Sequence, residues 1–437
     1  MEQVDLLIHA RWVLPIEPYG AVLEQHALAV RDGRIVALLP SAAATTRFAA
    51  TEVVHRDHHA LLPGLVNAHT HLAMTLLRGL ADDLPLARWL NDHVWPAEAR
   101  WISHEFVRDG AALALAESVR SGVCCVNDMY FFPDATAQAA VQAGVRASLG
   151  IVVLGFPTAW ASDPEDHLHK GLAVRDQHRS DPLLSFMLAP HAPYSVSDAS
   201  FERIRVLAAE LDAKVHCHVH ETADEVAAAV ASDGRRPLAR LDALGLVGPD
   251  LVAVHMTQLD AAEIALCAER GVSVVHCPES NLKLASGCCP VGALRAAGVT
   301  VALGTDGAAS NNDLDLLGEL RTAALLAKQV AGDPTVVPAH AALEMATLAG
   351  ARALGLGDAI GSLTPGKWAD LITVDLGGLE QQPVYDPAST LVYATDRERI
   401  RDLWVAGRPL MRERALLTLD EPALIARARE WRARLRP

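Results

Sequence analysis

The chain is poor in the features that mark several protein classes. Its 437 residues carry 38 lysines and arginines against 53 aspartates and glutamates, a net charge of −15. That balance argues against sequence-independent binding to nucleic acid, which relies on Lys and Arg neutralising phosphates. No basic amphipathic stretch suits a membrane surface, and no uninterrupted apolar run is long enough to span a bilayer. The opening MEQVDLLIHA lacks the positive region and apolar core of a signal peptide, so no leader is expected. Cysteines number only seven, with no CxxC, which argues against a zinc ribbon or a thioredoxin-like site. The adjacent pairs Cys124-Cys125 and Cys288-Cys289 are poorly placed to bridge internally, so free, buried thiols in a cytoplasmic protein are expected. What remains is an ordered globular chain, 51% apolar and 21% charged, long enough for one large domain and a smaller one.

Two textures alternate along the chain. The first sixty residues read as short strands with turns, and Asp32-Gly33 between two apolar alternations signals a hairpin. From Gly64 to about Gly350, eight apolar runs alternate with Ala-rich helical stretches. The runs are VNAHTH, GVCCVNDM, VRASLGIVVL, LLSFMLAPH, KVHCHVHE, LVAVHMT, VSVVHCP and VTVALGTD. Helix-period segments such as FERIRVLAAELDA, AAEIALCAERG and VGALRAAG lie between them. Eight such units predict an α/β fold, a (β/α)₈ barrel of the TIM type. A doubly wound sheet would normally show a glycine-rich phosphate turn after its first strand, and none is present. After Gly350 the strand texture returns, in GSLTPGKWADLITVDL and STLVYATDRERIRDLWVAGRPLM. Residues 1–62 and 360–437, with the last helix included, are expected to form a small β-sandwich domain, and 63–359 the barrel.

Chemistry is concentrated where the runs end. His69 and His71 in PGLVNAHTH stand two apart, so on a strand their rings face the same side and can share a metal. A lone HxH also arises by chance on exposed loops. Here, however, run four ends at His191, run five in His216, His218, His220 and Glu221, run six at His255, run seven at His276 and run eight at Asp306. In a parallel barrel these ends gather at one mouth. A divalent metal would take His69, His71, one histidine of run five (His218 is chosen) and Asp306. Glu221, beside it, can move protons. The other histidines have plainer readings. His220 suits a neighbouring support or an ordinary polar contact, His276 a turn-shaping hydrogen bond, and His167 and His169 a polar loop. His55, His58 and His59 suit a surface strand.

Taken together, PGLVNAHTH, HVHE, HCPESNLKLASG, GTDGAASNN and the late GKWADL resemble the amidohydrolase superfamily over essentially the whole chain. More narrowly they resemble its cytosine deaminase/chlorohydrolase branch, and within it the 5′-methylthioadenosine/S-adenosylhomocysteine deaminases. The resemblance implies metal ligands at His69, His71, His218 and Asp306, and an acid/base at Glu221 that protonates a purine ring nitrogen. It implies that His255 orients the attacking hydroxide and that Asp306 also accepts a proton. Glu98 and His191 would contact ribose hydroxyls, and Trp89 would pack on the nucleoside. His191 stands where two-metal relatives carry a carboxylated lysine, so one metal is implied, zinc first, with iron or manganese as alternatives.

The implied activity is hydrolytic deamination of an adenine nucleoside: 5′-methylthioadenosine, adenosine or S-adenosylhomocysteine. No arginine follows Arg146 in ASLGIVVLGFPTAW to pair with an amino-acid carboxylate, which favours the methylthio tail. Alternatives are an aminohydrolase or chlorohydrolase of guanine, another purine or an s-triazine, and a metal-binding barrel without catalysis. Glu221 discriminates, because a non-catalytic barrel needs no acid beside its metal. The expected partner is a small-molecule nucleoside, with no nucleic acid and no membrane, and an acidic barrel of this size is compatible with a homodimer.

Overall fold

The computed structural model describes residues 1–435 and contains two eight-stranded sheets. Strands β1 (Glu2–Val13), β2 (Leu23–Arg31), β3 (Arg34–Pro40) and β4 (Phe48–Pro63) begin the first. The β2–β3 turn is the expected Asp32-Gly33, both with positive φ (52° and 73°). Such a turn matches the right-handed twist of the paired strands.

The chain then builds the barrel from β5 (Leu65–Thr70), β6 (Val123–Tyr130), β7 (Arg146–Val153), β8 (Leu184–Pro190), β9 (Val215–Val219), β10 (Leu251–His255), β11 (Ser273–His276) and β12 (Thr300–Leu303). All are parallel to their neighbours, in unbroken sequence order, and they coincide with the eight apolar runs. Helices cover them from outside, so β5, β6, β7, β9, β10 and β11 are buried along their whole length. The helix Ala261–Arg270 shows the local logic. Asp260 accepts from Glu263 N, Glu263 accepts from Asp260 N, and Gly271 ends the helix at φ 72°.

Between β12 and β5 the barrel closes through side chains as well as backbone. Asn67 Nδ2 donates to Thr305 Oγ1 (2.8 Å), Thr305 N donates to Asn67 Oδ1 (3.0 Å), and Asp306 N donates to His69 O (3.1 Å). Gly304 permits this approach, because a Cβ there would lie 2.8–2.9 Å from His69 Cβ, O and N.

The chain returns to the first sheet with β13 (Leu371–Asp375), β14 (Ile400–Val405), β15 (Arg408–Arg412) and β16 (Ala415–Leu416). β13 pairs antiparallel with β4, Leu371 opposite Pro63. The sheet curls until its halves face each other over a shared core that includes Leu28, Ile35, Leu371 and Trp404. Ile35 N donates to Lys367 O and Ala369 N to Gly33 O across the seam. So the small sandwich built from both chain ends is one sheet folded over.

Two segments differ from expectation, and a third lies between the first two barrel strands. Pro387–Ala394, taken for strand, is a helix; Pro387 opens it and the Asp386 side chain accepts from Ala388 N, so the cap overrides the β-branched residues inside. The last helix, Glu421–Leu435, lies against the barrel, where Trp431 is buried on Phe106 and donates to Asp109 (2.9 Å). Between β5 and the helix His104–Arg120, residues 72–102 form a chain of short helical turns over the barrel mouth. No helix among the described residues is long and apolar enough to cross a membrane.

Candidate active site

His69 lies on β5 and His71 one residue past its end, and their rings meet edge to face with centroids 4.8 Å apart. Each imidazole is aimed by its far nitrogen. His71 Nδ1 donates to Met129 O (2.6 Å), His218 Nδ1 donates to His191 O (2.7 Å), and His69 Nδ1 faces His216 Nε2 at 3.0 Å. This turns the Nε2 atoms inward. His69 Nε2 lies 3.3 Å from His218 Nε2, and both His69 and His71 Nε2 lie 3.3 Å from Asp306 Oδ1. Two overlapping groups, His69–His71–Asp306 and His69–His218–His255, each gather donor atoms within 4.8 Å.

Asp306 is itself held from several sides. Ser280 Oγ (2.7 Å) and Ser310 Oγ (2.8 Å) donate to Oδ2, and Gly307 N (2.8 Å) donates to Oδ1. Burial opposes its charge, but the hydrogen bonds from His69 and His71 keep it well below the usual carboxylate range. Burial likewise opposes a charge on His71, yet Asp306 raises it to about 9. His69 and His218 are pushed down, chiefly by burial.

Glu221 sits just beyond β9, buried, with Oε2 3.9 Å from His255 Nε2. Burial, then the charges of Asp306 and Glu225, raise its carboxyl well above the usual value. It therefore holds its proton more tightly than an ordinary carboxyl does, as a proton donor to a substrate requires. His255 Nδ1 meets the Asn281 amide at 3.0 Å, and burial lowers this histidine to about 3, so it is neutral. His255 and Asp306 have left-handed backbone, φ 74° and 60°, a strain that turns both side chains off their strand ends into the mouth.

A cavity of about 270 Å³ opens on this cluster and is lined mostly by apolar and aromatic side chains. Trp89 walls it, buried, with its indole N–H given to Ala81 O (3.1 Å), so that it presents an apolar surface. Glu98 lines it too and accepts from Tyr130 OH (2.6 Å), and burial raises its carboxyl to about 7. His191 lines it as well, its Nδ1 2.9 Å from Ser195 Oγ. Trp95, one turn before Glu98, meets Phe156 at 6.2 Å, and Phe156 is 43% exposed. The outer end is therefore apolar, and no Lys or Arg lines the cavity among the described residues.

Other histidines fall elsewhere. His220 accepts from Leu238 N (3.1 Å) and so caps a helix rather than joining the cluster. His276 is buried, and its carbonyl accepts from Gly304 N. His167, expected in a polar loop, is buried on the helix Pro164–His178 against Trp160. Sequence reasoning named His216 only as one of the histidines ending run five, not its place behind His69, and it missed Ser280, Asn281, Ser310 and Tyr130. Ser280 and Asn281 stand inside HCPESNLKLASG, but their partners are on other strands.

Three comparisons bear on this geometry. The model of the amidohydrolase family matches residues 60–410. A 5-methylthioadenosine/S-adenosylhomocysteine deaminase of Teredinibacter turnerae is 49% identical, over 99% of this chain and 98% of the relative. One from Syntrophobacter fumaroxidans is 44% identical, over 100% and 99%. Among solved structures, an adenosine deaminase from Xanthomonas campestris with bound zinc superposes with a TM-score of 0.98, at 58% identity and 99% coverage of both chains. An atrazine chlorohydrolase from Arthrobacter aurescens complexed with zinc follows the same fold at a TM-score of 0.90 and 26% identity, covering 98% of this chain and 99% of its own.

Proposed function

The chain belongs to the amidohydrolase family, and on that premise we propose that it is a metal-dependent hydrolase that deaminates adenine nucleosides. The observation that carries this reading is Glu221, a buried carboxyl with a raised pKa, 3.9 Å from His255 and beside a convergent His₃Asp donor set. The reaction forms a bond from water oxygen to purine C6, breaks the C6–NH₂ bond, and releases ammonia and the inosine analogue.

The donor set fits one divalent cation. Ligands about 2.0–2.2 Å from zinc at tetrahedral angles stand roughly 3.3–3.6 Å apart, and three donor pairs here are 3.3 Å apart. His69, His71, His218 and Asp306 would hold the cation; zinc is the first choice, and iron or manganese suits the same donors. Such an ion supplies Lewis-acid activation of water near neutral pH.

The chain's own groups divide the remaining work. Glu221 gives its proton to a purine ring nitrogen, Asp306 accepts a proton from the attacking water, and His255 orients that water. Glu98 and His191 take the ribose hydroxyls, and Trp89 packs on the nucleoside. Beyond them the apolar end at Trp95 and Phe156 suits a methylthio group. A carboxylate tail finds no cation there, so 5′-methylthioadenosine and adenosine should be used more readily than S-adenosylhomocysteine. The free cysteines fit a cytoplasmic setting.

The test is ammonia release over adenosine, 5′-methylthioadenosine, S-adenosylhomocysteine, guanine and an s-triazine. Turnover confined to a substrate without ribose would overturn the reading. Glu221→Gln should keep its metal and lose roughly 10²–10⁴-fold in kcat; a variant that still deaminates would remove Glu221 from the mechanism.

A further inference from the structure

Three loops at the barrel mouth meet at Lys283, outside the metal cluster. Lys283 Nζ donates to Asp82 Oδ1 (2.7 Å), to Asn312 Oδ1, and to Ala309 O (3.4 Å), while Asn312 Nδ2 donates to Asp82 Oδ2 (3.1 Å). Asp82 lies in the stretch 79–102, the one that carries Trp89, Trp95 and Glu98 to the cavity wall. Asn312 and Ala309 lie in the loop after Asp306. Lys283 itself ends the helix Pro278–Lys283, whose Ser280 donates to Asp306 and whose Asn281 meets His255.

Left-handed residues flank the Asp82 anchor: Gly79 at φ 67° and Asp83 at φ 60°. Backbone of that kind marks the corner of a segment held by contacts rather than by regular hydrogen bonding.

We infer that Lys283 is a positioning residue for substrate binding, pinning the cavity wall carrying Trp89, Trp95 and Glu98 to the rim that holds Asp306 and His255. It touches neither substrate nor metal. Its effect passes through Asp82 to the wall, so it belongs to KM and not to the chemical step. The pair is partly exposed, with side chains 20% and 36% accessible, so salt screens it. An exposed pair of this kind changes an equilibrium by roughly fivefold at most, and the Asn312 bonds add to it.

The inference uses the deaminase reading for its kinetic arm only. Trypsin reads the wall directly, because Arg88 and Arg100 are exposed sites within it. Purified full-length protein carrying Lys283→Met should show a KM raised roughly three- to fivefold, a kcat within twofold, and faster cleavage at Arg88 and Arg100. Lys283→Arg, which keeps the bridge, should restore both, and Asp82→Asn should match Lys283→Met, with the double variant no worse than either. High salt should raise the wild-type KM but leave that of Asp82→Asn unmoved. Unchanged cleavage in Lys283→Met overturns the inference, whether or not any nucleoside is turned over. So does a fall in kcat with KM unchanged, or a loss of bound metal, since either places Lys283 in the metal turn. Absence of nucleoside turnover with faster cleavage would instead refute the deaminase reading alone.

Discussion

At the scale of single residues, the site depends on groups that never face the cavity. Ser280 fixes one oxygen of Asp306, and supports of this kind typically change metal affinity ten- to a hundredfold. Ser280→Ala should weaken zinc binding by about that factor in competition with a chelator, and equal affinity would refute the role. Glu98, which does line the cavity, carries a prediction of another kind. Burial raises it to about 7, against the hydrogen bond from Tyr130, from an ordinary value of 4.5. Between those values the folded chain keeps a proton that the unfolded chain has released. Its contribution to stability is therefore greatest below pH 4.5 and is lost as pH rises toward 7. Glu98→Gln should gain on the wild type in urea midpoint from pH 5 to 7, and parallel curves would rule this out. The sequence displayed His69, His71, His218, Glu221, His255 and Asp306, because strand period and strand ends fix where they point. Ser280, Ser310 and Asn281 were hidden, since one hydroxyl or amide in a turn has no periodic signature and its partner lies on another strand.

Elements were read best where burial is symmetric. The eight barrel strands are apolar on both faces and separated by helical stretches, so each run shows itself without reference to the rest. Pro387–Ala394 was misread because its interior, ASTLVYA, favours extended backbone, and only the Asp386-Pro387 start reveals a helix. The short turns of residues 72–102 are set by packing over the mouth, which a sequence period does not record. The seam between β5 and β12 also escaped the sequence, although it limits what Gly304 can become. Its φ is not left-handed, so the demand is for space. Gly304→Ala would press Cβ into the His69 backbone and, by the usual cost of overpacking, destabilise by about 1–3 kcal/mol. Calorimetry and metal analysis should show a lower Tm together with less bound zinc, and a normal Tm with full zinc would contradict this account.

On the scale of the whole molecule, the two sheets are joined by a buried ion pair. Arg146, which opens β7, meets Asp370, just before β13, at 2.6 and 3.1 Å, and Asp370 also accepts from Ala406 N (2.8 Å). Removing one partner strands a buried charge, so Asp370→Ala should cost about 3–5 kcal/mol in urea unfolding; a loss below about 1 kcal/mol would show the joint to be dispensable. The return of the chain to its first sheet was visible as a change of texture, but this joint was not, because nothing in a sequence ties residue 146 to 370. That return also sets a timetable. β13 reaches β4 across roughly 300 residues, which a ribosome adds at about 5–20 per second, so β4 waits on the order of 15–60 s for its second neighbour. An open strand edge is a template for wrong pairing. The stretch β13 finally covers is His59–Pro63, the apolar end of β4, while the charged EVVHRDH before it guards the rest. The vulnerable moment in the life of this protein is therefore its synthesis, and the few residues at risk then are those that lead directly into the metal-binding strand.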